Sequence, residues 1–163
     1  MMLGMSEPTF TVVHVILSLI GIATGLVVLG GMFGSHPLPG WTAVFLATTV
    51  LTSVTGFQFP RDHLMPSHVV GIISLLLLAI AIVALYGRRL ARAWRWIYVG
   101  CAAAALYLNV FILVVQSFQK LPALAQLAPT QSEPPFVVAQ LVVLVIFAAL
   151  GIAAAIKFRP AVL

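Results

Sequence analysis

Charge is scarce in this sequence. Eight Lys and Arg and three Asp and Glu make 7% charged residues, against 63% hydrophobic, where a soluble domain carries about 25% charged and about half apolar residues. That excludes an ordinary soluble domain, and a mean hydropathy of +1.19 means that most side chains meet lipid or one another. Cysteine is nearly missing as well. The single Cys101 excludes an intramolecular disulfide, a CxxC redox pair and a thiolate metal site, and beside Ala102 to Ala105 it reads as a small packing residue. No nucleophile triad, phosphate loop or carboxylate pair is present, so hydrolase and kinase chemistry have no basis. The net charge of +5 and pI near 10.2 do not point to nucleic acid, because cations scattered over the segments between apolar runs are topology signals.

What the sequence does have is five long apolar runs, about residues 10–33, 41–59, 67–86, 96–118 and 136–158. Each is long enough to cross about 30 Å of hydrocarbon at about 1.5 Å per residue. Their separators are rich in Gly, Pro and charge, as in Gly34-Ser35-His36-Pro37-Leu38-Pro39-Gly40 and Gly87-Arg88-Arg89, where helices end. The expected fold is all-α: a polytopic five-transmembrane-helix bundle forming a single membrane domain over residues 1–163. The leader from Met1 to Thr9 has no Lys or Arg and contains Glu7, so the first run is expected to stay as a permanent helix and not be cleaved as a signal peptide.

Charge also orients the chain. With five crossings, Arg88, Arg89, Arg92, Arg95, Lys157 and Arg159 fall on one side, and Arg61, Lys120, Glu7, Asp62 and Glu133 on the other. The positive-inside rule puts the first set in the cytoplasm, giving an N-terminus outside and a C-terminus inside in a bacterial inner membrane. Trp41, Tyr86, Trp94, Trp96 and Tyr98 all fall at that same inner boundary, where aromatic rings prefer to sit. Arg88, Arg89, Arg92 and Arg95, interleaved with Trp94 and Trp96, are expected to anchor to anionic lipid there, at about 1 kcal/mol per cation. The lipid bilayer is the expected partner, with a second membrane protein or further copies of this chain as further possibilities.

Polar side chains within spans normally face protein, so their depth and azimuth carry information. His14, Thr55, His68, Gln116 and Gln140 all lie toward the outer ends of their runs, which suggests a polar chamber open to the periplasm. His14, Ser18, Gly21 and Gly25 share one helical stripe, and so do Thr48, Thr52 and Thr55. His68 shares a face with Gly71, and Asn109 with Gln116. Small residues let a helix or a flat ligand approach the backbone. Two histidines on different helices at similar depth are what bis-imidazole haem ligation needs. In that reading His14 and His68 ligate haem b, Gly21, Gly25 and Gly71 make room for the ring, and Gln116, Gln140, Arg61 or Lys120 meet the propionates. A second set, His14, His63 and His68 with Asp62 or Glu133, suits zinc or copper. The same histidines are equally placed to hydrogen-bond headgroups, water or another helix, and the glycine stripes to pack helices. Asn109 reads as interhelical glue, and Glu133 as a residue that caps the last helix or fixes its loop.

The stretch from Tyr107-Leu108-Asn109-Val110-Phe111 through Val115-Gln116-Ser117-Phe118 to Leu127-Ala128-Pro129-Thr130-Gln131-Ser132-Glu133-Pro134-Pro135-Phe136 resembles a family of small, largely uncharacterised bacterial inner-membrane proteins. The resemblance covers the last two runs and implies no catalytic residues. The first three runs, with His14, His36-Pro37-Leu38-Pro39-Gly40 and His68, loosely resemble b-type membrane cytochromes. That likeness implies one haem at most, because the usual deeper histidines are absent; a haem or metal on His14 and His68 makes the leading expectation a small electron-transfer component near the quinone pool. The other expected class is a cofactor-free accessory or structural subunit of a larger membrane complex. A reporter fused after Leu163 is expected to be active on the cytoplasmic side; activity in the periplasm would reject the count of five crossings.

Overall fold

The computed structural model describes residues 6–59 and 66–160, so Arg61, Asp62 and His63 lie outside the described residues. Every apolar run forms a helix. These are α1 (Glu7–Phe33), α2 (Pro39–Gly56), α3 (Pro66–Ile82), α4 (Trp94–Lys120), the short α5 (Pro122–Leu127) and α6 (Pro134–Lys157). The described residues contain no strand.

Local chemistry sets the ends. Ser6 caps α1, its hydroxyl accepting from the Thr9 N–H, and Glu7 follows in the first turn, where a carboxylate suits the positive end of the helix. At the start of α2 the Thr42 N–H reaches the Leu38 carbonyl and the Thr42 hydroxyl the Pro37 carbonyl. These two bonds hold the Pro37-Leu38-Pro39 corner against the helix. α2 stops at Gly56, short of the end of its apolar run at residue 59, because the Phe57 and Gln58 N–H groups turn back onto Val54 and Thr55. α3 continues as a π-helical turn, Val83–Gly87, in which the Arg88 N–H bonds the Val83 carbonyl five residues back. Beyond it Arg89, Leu90 and Arg92 have φ of 47, 57 and 53°, and Leu90 turns in to be buried. The loop expected between Lys120 and Pro135 holds α5, started by Pro122 with the Leu124 and Ala125 N–H groups on the Leu121 carbonyl.

The long helices run alternately up and down. α1, α2, α3 and α4 pack in a ring, each on the next, and α6 covers α4 and α1. At one end Ser35 ties the α1–α2 corner to the chain terminus, donating to the Lys157 carbonyl and accepting from the Arg159 N–H, while Arg95 at the start of α4 donates to the Phe158 carbonyl. The six cations of the arginine loop and C-terminus therefore gather at this basic end. Between it and mid-bundle lies the apolar core, built from Val28, Met32, Phe45, Leu46, Leu78, Val99, Leu106 and Phe158. The run Ala102 to Ala105 on α4 and Gly151 on α6 let these two helices lie close, with Gly151 over Ala103.

α1, α3 with its π turn, α4 and α6 are each long and apolar enough to cross a membrane, which makes the chain a multi-pass membrane protein by helix length and composition. α2, with 18 residues and six hydroxyl side chains, is not among these four. Gly25 marks a close approach of α1 to both α4 and α2, since a Cβ there would stand 2.6 Å from Leu106 and 2.8 Å from the Phe45 ring. Gly25→Val is expected to destabilise the bundle by about 1–3 kcal/mol, whereas Gly30→Ala, where a Cβ meets open space, should cost nothing. Thermal unfolding of the purified protein in detergent checks both.

Candidate functional site

The seam between α1 and α2 carries most of the buried polar chemistry. His14 Nδ1 lies 2.8 Å from Thr55 Oγ1. The Thr55 hydroxyl has one proton, and that proton is placed on the Leu51 carbonyl at 2.7 Å. Thr55 therefore accepts from His14, which puts the imidazole proton on Nδ1 and leaves Nε2 as an acceptor. The Phe59 ring meets His14 edge-on at 5.2 Å and also touches Phe10, forming an aromatic wall beside the imidazole.

Further along the stripe the small residues are occupied by neighbours. A Cβ on Gly21 would meet Thr49 Oγ1 at 3.1 Å, Thr48 Oγ1 at 3.3 Å and Asn109 Nδ2 at 3.5 Å. Asn109, buried, donates to Thr49 across 3.4 Å, so it links α4 to α2 at the point where α1 is bare. Below, Leu106 and Phe45 fill the space over Gly25. On the other side of α2, Ser53 donates to Ser74 of α3 at 3.3 Å.

His68 lies on α3 and stacks with Phe57 at 5.6 Å and 12°. The same Phe57 ring covers Gly71, where a Cβ would come within 2.9 Å of it. The two histidines thus flank the C-terminal end of α2, each beside an aromatic ring from the segment just after that helix. Gln140 is turned toward α4, where its amide donates to the Phe111 carbonyl, and Gln116 is half-buried near the end of α4. Among the described residues no group of three or more His, Cys, Asp or Glu is placed to hold a metal ion; His63 and Asp62 of the expected set lie outside them. Phe57 and Phe59 were not singled out as site residues from sequence, though their position immediately beyond Gly56 is the signal that could have found them.

Two buried polar atoms among the described residues have no partner, Thr52 Oγ1 and Gln140 Oε1. Glu133, ahead of α6, accepts from the Thr130 hydroxyl and N–H and from the Ser132 N–H. Desolvation raises its pKa, but these hydrogen bonds outweigh it and hold the carboxyl below its ordinary value. The side chain fixes the loop and makes no cap bond to α6. At the basic end Arg88 lies over Trp94 at 5.2 Å and Arg95 over Trp96 at 4.6 Å.

No family model, curated protein or solved structure matches the chain.

Thr55→Val removes the acceptor of His14 while keeping the side-chain shape. It is expected to lower stability by about 0.6 to 2 kcal/mol, the range for interhelical hydrogen bonds in membranes. His14→Ala in the Thr55→Val background should then add less than it does alone, a coupling that a double-mutant cycle in detergent measures.

Proposed function

We propose that this chain is a five-crossing protein of the bacterial inner membrane, N-terminus outside, acting as a cofactor-free accessory component whose polar seam holds its own helices together and whose basic end is anchored to anionic lipid. The observation that carries the reading is the filling of the glycine stripes. Leu106 and Phe45 stand over Gly25, Thr48, Thr49 and Asn109 over Gly21, and Phe57 over Gly71. A porphyrin between His14 and His68 needs open slots at those positions, so the residues present do not fit haem in this packing. The polar groups of the seam largely bond one another, as helix–helix glue does.

A second consideration supports an accessory role over transport. Among the described residues every Asp, Glu, Lys and Arg stands at or beyond a helix end, whereas carriers and proton pathways place ionisable groups deep in the bilayer. The crossing of α2, short as it is, is supported by its antiparallel packing between α1 and α3 and by a length of about 27 Å at about 1.5 Å per residue.

The visible spectrum of the protein purified after haem-supplemented expression tests the cofactor-free reading. A colourless, metal-free preparation, unchanged by dithionite, is expected. A Soret band or stoichiometric metal that is lost in both His14→Ala and His68→Ala would overturn it in favour of an electron-transfer protein.

A further inference from the structure

At the basic end the structure holds an open cleft of about 460 Å³ lined by Pro37, Pro39, Thr42, Leu85, Tyr86 and Arg89. It lies between the corner that starts α2 and the π turn that ends α3. Its size falls within the range of about 300–1,000 Å³ typical of ligand sites.

The chemistry of the cleft is one-sided. Arg89 makes no hydrogen bond, ion pair or ring contact with the described residues, whereas its neighbours Arg88 and Arg95 rest on Trp94 and Trp96 and Lys157 on Phe33. Glu7 and Glu133, the acids among the described residues, stand at the opposite end of the bundle. Among the described residues no acidic side chain at the basic end competes for the guanidinium. Arg89 is also held in place: it has a left-handed backbone, and the next residue, Leu90, is buried with its N–H on the Ala84 carbonyl. Tyr86 on the wall is 57% exposed and Trp41, one residue before Thr42, is 51% exposed. Such rings sit at headgroup level, so the cleft opens where lipid phosphates lie.

We propose that this cleft seats the headgroup of an anionic phospholipid, its phosphate on the Arg89 guanidinium and its glycerol region against Tyr86 and the Pro37–Pro39 corner. Guanidinium suits phosphate through paired N–H donors. The proposal rests on the reading that the chain spans a membrane and deepens it from general attraction by a basic loop to one defined site.

The test is native mass spectrometry of the full chain in neutral detergent, titrated with phosphatidylglycerol or phosphatidylcholine, for wild type, Arg89→Asn and Arg92→Asn. The two variants lose the same charge at positions with nearly the same φ, 47 and 53°, and Asn tolerates that backbone. Wild type is expected to keep a one-to-one phosphatidylglycerol adduct in preference to phosphatidylcholine. Arg89→Asn should lose about tenfold more affinity than Arg92→Asn. Equal losses in the two variants would mean diffuse attraction and overturn the site, as would equal retention of the two lipids. Displacement of the lipid by millimolar inorganic phosphate would overturn it in favour of a free-anion site. Because the readout is taken in detergent, it stands apart from the number and direction of crossings, which the reporter fusion addresses separately.

Discussion

The missing side chains at Gly21 and Gly25 set the distance between α1 and α2, and much of the structure depends on that distance. With no Cβ in the way, Phe45 and Leu106 reach the α1 backbone and join the core. Thr48, Thr49 and Asn109 converge on the same bare strip one turn higher, and His14 comes within 2.8 Å of Thr55. In lipid there is no hydrophobic gain from pushing helices together, so close packing and satisfied polar groups supply most of the attraction. The seam provides both at once, with apolar contact toward the basic end and hydrogen bonds toward the other.

Threonine suits this arrangement because its hydroxyl does two jobs. Thr48 and Thr55 each donate to a carbonyl four residues back in their own helix, Val44 and Leu51, and so are not left as unsatisfied donors in an apolar setting. Their oxygen lone pairs remain free to accept from another helix, which Thr55 does from His14. Thr52 departs from the pattern, since its buried oxygen has no partner. It sits between the His14–Thr55 bond and the Gly21 crossing.

Much of the fold could be read from the sequence because apolar runs of about 20 residues form helices with little ambiguity in lipid. The basic end was legible for the same reason, as the loop arginines and the C-terminal cations sit at matching ends of successive helices. The boundary of α2 was not: Phe57 and Phe59 prolong the apolar run after the helix has turned, so hydropathy passes over the stop. α5 escaped because one helical turn begun by Pro122 has no periodic signal. At the site, sequence spacing gave the common depth of His14 and Thr55 but not the bond between them, since depth fixes height along a helix and leaves rotation about the bundle undetermined. The contents of the glycine stripe were illegible in principle. A row of small residues looks the same whether a ligand or Phe45 lies against it, and only the neighbouring helices decide.

The shortness of α2 has a mechanical consequence. At 18 residues it stands beside α1 and α4, each of 27, a difference of about 13 Å at about 1.5 Å per residue. A bilayer that wets all three cannot match every length, and such mismatch is relieved by tilt or by local thinning. If α2 crosses as proposed, the mismatch along its flank is met by tilt of the longer helices or by local thinning of the bilayer, so this side of the bundle would set the shape of the lipid beside it.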